Sequence, residues 1–176
     1  MAILLPCLLL PVREKILVLP SSAVAEIISY EKPKEISDAP DWLEGILNWR
    51  GINIPLTYLE KIGPPLDWNT PKSEEGEEVK KRYVAILNRT QKTQGEESDK
   101  MNRYPFFGAI LQDVPKLQRI SEDAVKIVTQ FPEDNPRYIM EVKTHGDYVL
   151  VPNLPKLWKM IDALPSRLQW FRQIVL

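Results

Sequence analysis

The sequence predicts a mainly β protein made of two similar halves, with short helices between strands and a helical extension at the C-terminus. Three observations carry this. Short apolar runs recur between polar or proline-marked breaks, too brief for helices and bounded as strands are. The 16 prolines outnumber the 7 glycines, which favours short, rigidly turned elements. Two pairs of segments also match in the same order along the chain.

Taken in order, residues 3–12 and 16–20 are apolar runs separated by Arg13-Glu14-Lys15, the pattern of a hairpin. Cys7 lies in the first run, read as an edge strand because Pro6 and Pro11 interrupt it. Ser21-Ser22 lead a short helical turn into a strand over AVAEIISY. EKPKEISDAPD is a proline-punctuated loop. It delivers the chain to WLEGILNWRGINIPL, 42–56, an apolar stretch carrying one arginine, Arg50, directly before Gly51 and with no acid beside it. LTYLEKIG reads as a brief helix ending at Gly63, since Pro64-Pro65 cannot continue it. Residues 66–81 are charged and poor in aliphatics, as a solvated linker is. YVAILNR is a strand, 89–105 is a second polar loop, and FFGAILQDV is a further strand. ISEDAVKIV turns into another strand, and YIMEVKTHGDYVLV is a hairpin with His145-Gly146-Asp147 at its turn. Leu157, Met160, Ile161 and Leu164 then fall at helical spacing up to Pro165. Ser166 with Gln169 is a capping box for a second helix that places Leu168, Phe171 and Val175 on one face.

The repeat sets 42–59 beside 138–154. Trp42 meets Tyr138 and Ile46 meets Val142; after a one-residue deletion Gly51 meets Gly146 and Ile54 meets Val149. The preceding segments match as 16–27 against 106–117, with Val24 on Val114. A single domain over 1–176 follows, with halves 12–65 (joined by an N-terminal strand, 1–11) and 82–154. The 66–81 linker lies between them and C-terminal helices over 155–176 follow. The second copy keeps Gly146 but has no arginine, which singles out Arg50.

The totals narrow the function. Lysine and arginine number 23 against 24 acids, a net charge of −1, which argues against nucleic acid as a partner. A single cysteine excludes an intrachain disulfide and fits a reducing, cytoplasmic setting. The apolar N-terminus lacks the basic start and cleavage site of a secretion signal, and no run is long enough to enter a membrane as a spanning helix. No glycine-rich phosphate loop or dinucleotide fingerprint is present, and no cofactor is expected. The single histidine, His145, occupies a turn without a cysteine or histidine companion for a metal; a hydrolase would need it buried beside a serine and a carboxylate. The chain is therefore read as non-enzymatic. Its asset is Trp49-Arg50, residue types that anchor protein interfaces, with the arginine able to donate a fork of hydrogen bonds to a partner.

At this point the residues resemble a family. Val24-x-Glu26-Ile27, a polar loop, and then Trp42-Leu43-x-Gly45-Ile46-Leu47-Asn48-Trp49-Arg50-Gly51-x-x-Ile54-Pro55-Leu56 are similar to the CheW-type domain of chemosensory systems. Phe107-Gly108-x-x-Leu111-x-Asp113-Val114 and the 138–154 segment extend the likeness over nearly the whole chain. The resemblance implies two SH3-like five-stranded β-barrels side by side. It also implies an adaptor that couples chemoreceptor tips to the regulatory domain of a CheA-type histidine kinase in two-component signalling, at membrane receptor arrays. By position it offers Val24, Glu26, Ile27, Arg50 and Gly51 for the receptor. Gly45, Trp49, Gly108 and Val114 are offered for the kinase interface or for the fold itself. The chain departs from the pattern at Tyr58 and Asn153, at Glu141, and in its long charged loops. Those departures raise an alternative, a divergent member serving type IV pilus twitching motility, with Leu168, Trp170, Phe171 and Val175 of the terminal helix carrying the distinctive contact.

Overall fold

The computed structural model describes residues 3–13, 15–61, 81–89 and 104–164. The first hairpin joins β1 (Leu4–Val12) to β2 (Lys15–Pro20), and a 3-10 turn at Ser21–Ala23 leads into β3 (Val24–Ser29). The second hairpin is β4 (Leu43–Trp49) with β5 (Ile52–Thr57), followed by a 3-10 turn at Leu59–Lys61. Next come β6 (Tyr83–Asn88), β7 (Phe106–Leu111), β8 (Lys116–Ser121), a 3-10 turn at Glu122–Ala124, and β9 (Val125–Gln130). The last elements are β10 (Tyr138–Thr144), β11 (Asp147–Pro152) and α1 (Leu154–Asp162). Of the expected helix over LTYLEKIG, Leu56 and Thr57 belong to the end of β5, and only Leu59–Lys61 turns helically, as a 3-10 turn. Gly63 and the second C-terminal helix, with Leu168, Trp170, Phe171 and Val175, lie outside the described residues. β8 is an addition to the expected strands, because KLQRIS has two cations and little apolar material to mark it.

The strands form a six-stranded sheet in the order β8-β1-β2-β11-β10-β9 and a five-stranded sheet in the order β3-β6-β7-β5-β4. The sheets do not follow the sequence halves. Hairpin β1–β2 sits with β8–β11, and hairpin β6–β7 sits with β3–β5, so each half lends its first hairpin to the other sheet. The exchange is symmetric: β2 runs parallel to β11 with Leu17 opposite Leu150, and β7 runs parallel to β5 with Gly108 opposite Leu56. The match of 16–27 with 106–117 agrees with this symmetry, although it does not foresee the exchange. The other match needs correction. Both second hairpins carry a bulge at the same place, between Leu43 and Gly45 and between Tyr138 and Met140, and both close with two turn residues. Their offset is thus constant, Leu43 stands with Tyr138, and no residue is deleted. Arg50 then stands with His145, and Met140 rather than Glu141 stands with Gly45.

Three apolar clusters explain why so many strands are apolar on both faces instead of alternating. Leu47, Ile54, Leu56, Val84, Ile86 and Ile110 fill the concave side of the five-stranded sheet. Cys7, Leu9, Val18, Ile120, Val142 and Val149 fill that of the six-stranded sheet. The opposite faces supply Leu10, Val12, Leu17, Leu19, Ala85, Leu87, Phe107, Ala109 and Leu111 to one large core shared by both sheets. Cys7 is buried, but β1 is an interior strand between β2 and β8, not an edge. Burial pushes the Cys7 thiol above its ordinary range.

The edges of the five-stranded sheet, β3 and β4, are drawn together. The chain leaving β3 returns so that the Lys34 amide donates to the Ile46 carbonyl and the Ile46 amide to the Lys34 carbonyl, each at 3.0 Å. A backbone can lie this close only over a residue without a side chain. A Cβ built at Gly45 stands 2.3 Å from the Lys34 carbonyl oxygen. Gly45 is therefore a strand glycine required by close approach, not by turn geometry.

Helix α1 caps the shared core with Leu157, Trp158 and Ile161. Asn153 starts it, accepting from the Lys156 amide at 3.3 Å. Arg89, at the end of β6, fastens it: the guanidinium donates to both Asp162 carboxylate oxygens and to the Tyr104 carbonyl, and lies 4.1 Å from the Trp158 ring centroid. The Trp158 ring meets Phe107 edge-on at 4.7 Å. Arg89→Met is expected to cost about 2–3 kcal/mol, because a bidentate, largely buried ion pair and a cation–π contact go together. In thermal melts the midpoint should fall by roughly 5–10 °C; a shift under a degree would show that α1 is held by its apolar face alone.

Glu60, in the turn after β5, has one carboxylate oxygen buried without a hydrogen-bond partner. Burial raises its pKa, and the nearby charges of Lys61, Arg13 and Arg137 offset this only in part. A raised carboxyl favours folding while protonated, so its penalty appears as pH rises through and above the ordinary carboxylate range and persists at neutral pH. Glu60→Gln should raise the melting midpoint at pH 7 more than at pH 4.5. An equal change at both pH values would remove the carboxyl as the cause.

Candidate functional site

The site is built on the β4–β5 turn. Trp49 pairs with Ile52, leaving Arg50 and Gly51 as the two turn residues, at φ 51° and 79°. Positive φ at both central positions is the type I′ geometry that matches strand twist in a tight hairpin. His145 and Gly146 repeat it at 49° and 84°. A residue with a Cβ at the first position of each turn is in the left-handed region, where such residues are uncommon.

Trp49 projects from the end of β4 and packs against the concave apolar cluster, meeting the Phe106 ring edge-on at 4.9 Å. Its indole N–H donates to Glu26 Oε2 at 2.7 Å. The same oxygen lies 3.2 Å from the Arg50 guanidinium, which also stands 5.2 Å from the Trp49 ring centroid. One carboxylate on edge strand β3 thus organises the last residue of edge strand β4, Trp49, and the first turn residue after it, Arg50. Arg50 has its acid after all, 24 residues away in sequence and brought close by the curl of the sheet. The Arg50 side chain remains 68 % exposed against 34 % for Glu26, so the cation is oriented but open to a partner.

The other expected receptor residues divide. Val24 and Ile27 pack against the core shared by the sheets, whereas Glu26 joins Trp49 on the opposite face of β3. They share a strand with Glu26 but not a surface. Gly51 lies in the turn with open space around it. Among the residues expected at the kinase interface or in the fold, Gly108 is buried in packing: a Cβ there would stand 2.9 Å from Leu56 and from Val84 side-chain carbons. Its carbonyl accepts from the Thr57 hydroxyl at 2.8 Å. Val114 is 57 % exposed in the β7–β8 connection, three residues before the still more exposed Leu117 on β8. His145 is exposed. Among the described residues no three His, Cys, Asp or Glu side chains gather as metal ligands, and no helix is long and apolar enough to cross a membrane.

Neither Phe106, the wall behind Trp49, nor Arg89 is singled out by the sequence. Phe106 opens a strand marked only by its apolar run, and the exchange of hairpins alone brings that strand beside β5.

Fold and site together define a double-sheet β module that presents side chains on a rigid frame. Residues 6–162 match the model of the CheW-like domain, and the chain belongs to that family. The structure is similar to the crystal structure of the scaffolding protein TtCheW from Thermoanaerobacter tengcongensis, with a TM-score of 0.60 and 19 % sequence identity. The likeness covers 86 % of this chain and 90 % of that one, and it is a likeness of fold. No curated protein matches the sequence.

Proposed function

We propose that this chain is a non-enzymatic chemotaxis adaptor in the cytoplasm, coupling a chemoreceptor tip to the regulatory domain of a CheA-type histidine kinase. Membership of the CheW-like family supports the adaptor role. The observation that carries the receptor contact is the Glu26–Trp49–Arg50 arrangement: an exposed guanidinium, held over an indole, beside apolar surface. A helix laid on such a surface meets apolar side chains for affinity and one cation for register. The exposed Val114 and Leu117, in the β7–β8 connection and on β8, are suited to a second and separate contact with the kinase domain. Titration calorimetry with a receptor-tip fragment, with the kinase regulatory domain, and with both together tests this. Binding of each alone, and of both at once, is expected. Failure to bind either, or competition between them for one surface, would reject the coupling role.

A further inference from the structure

A second cluster, remote in sequence from the Arg50 turn, gathers around Tyr58. This residue follows β5 and is 6 % exposed, with its amide donating to the Trp42 carbonyl at 2.8 Å. Its hydroxyl donates to Glu44 Oε1 at 3.0 Å. The Lys81 ammonium donates to the same oxygen and lies 5.5 Å from the Tyr30 ring centroid and 5.7 Å from that of Tyr58. The Lys61 ammonium stands 4.2 Å from the Tyr58 centroid. Lys61 and Lys81 bracket residues 62–80, so one tyrosine ring receives a cation from each end of that stretch of chain.

We propose that Tyr30, Tyr58 and Glu44 form an ammonium-binding cage, occupied by the chain's own Lys81, that clamps the chain at Lys61 and at Lys81 to the five-stranded sheet. Aromatic faces and a carboxylate are the chemistry that recognises an ammonium group. Burial favours such a clamp, since the Lys81 and Glu44 side chains are only 32 % and 15 % exposed, unlike an ordinary surface pair. Burial, the largest influence, pushes the Tyr58 phenol up to about 12, so it stays a donor to Glu44. Burial also opposes the charge on Lys81, but hydrogen bonds to Glu44 and Tyr58 outweigh it and raise its pKa.

The internal symmetry supports a dedicated device. Asn153 occupies the place of Tyr58 in the second half, its amide donating to the Arg137 carbonyl as Tyr58's does to Trp42. There the side chain caps α1, which follows directly. In each half this one position fastens the chain beyond the second hairpin: α1 through Asn153, and Lys61 and Lys81 through Tyr58.

The test is amide hydrogen exchange on the full chain. In Lys81→Met, the Arg82 amide, bonded to the Leu111 carbonyl at 3.0 Å, should exchange about tenfold faster. A clamp also predicts similar acceleration at the other end, at the Lys61 amide bonded to the Tyr58 carbonyl, with the amide of Ile110, opposite Val84 within β7, unchanged as a control. Tyr58→Phe, which keeps the ring, should accelerate both ends less than Tyr58→Leu. Acceleration confined to Arg82, or Tyr58→Phe as damaging as Tyr58→Leu, would overturn the cage in favour of a local ion pair.

Discussion

Gly45→Asp yields no folded protein. The Cβ alone would stand 2.3 Å from the Lys34 carbonyl oxygen and 3.0 Å from its carbonyl carbon, and these are backbone atoms that cannot rotate away. Relief requires breaking the reciprocal Lys34–Ile46 hydrogen bonds that draw β3 and β4 together. The carboxylate adds a charge buried on β4 without a planned partner. A cost above about 4 kcal/mol follows, comparable with the whole stability of many domains. Gly45→Ala should already be severe, because the clash is with the Cβ. Gly51→Asn is the contrast: its φ of 79° is left-handed but nothing lies within 4 Å, and asparagine tolerates that region, so about 1 kcal/mol or less is expected. Circular dichroism melts decide it. A cooperative transition at the parental temperature for Gly45→Asp would show that the Lys34 segment can be displaced at no cost.

Most elements were legible because they are local. β1, β2, β4, β5, β6, β7, β10, β11 and α1 each announce themselves by an apolar run and its punctuation. Duplication was legible too, since the matched segments hold β2 and β7, each parallel to the last strand of the opposite half's second hairpin. What escaped was pairing at a distance. Nothing in ILVLP or FFGAIL says that these strands join the opposite half, because buried parallel neighbours impose only that both faces be apolar. Likewise Arg50 looked unpartnered because its carboxylate enters from β3. The predicted deletion arose from aligning apolar residues, whereas the hairpins are registered by their turns, which place Arg50 with His145 at equal φ. Adjacency misleads for Val24, Glu26 and Ile27: Glu26 and Ile27 face opposite sides as strand neighbours do, and the bulge between Val24 and Glu26 turns Val24 to the side of Ile27.

Arg50→Ala leaves the fold intact and weakens binding of the receptor tip. On the folding side little is at stake: the guanidinium is 68 % exposed, such pairs contribute about 0–1 kcal/mol, and alanine meets the same positive φ as arginine. The melting midpoint should move by no more than about 2 °C. On the binding side, an arginine covered by a partner commonly contributes about 2 kcal/mol or more, which corresponds to roughly 10- to 100-fold in Kd. Glu26 separates orientation from contact. In Glu26→Gln the side-chain carbonyl still accepts from the Trp49 indole, but the ion pair with Arg50 is gone. If Arg50 is the contact and Glu26 its positioning residue, Glu26→Gln should lose less affinity than Arg50→Ala, and the double variant should be no weaker than Arg50→Ala alone. Additive losses would place Glu26 in direct contact with the receptor. Unchanged affinity in Arg50→Ala would remove the turn from the interface altogether, leaving the strained φ at that position to hairpin geometry alone, as at His145.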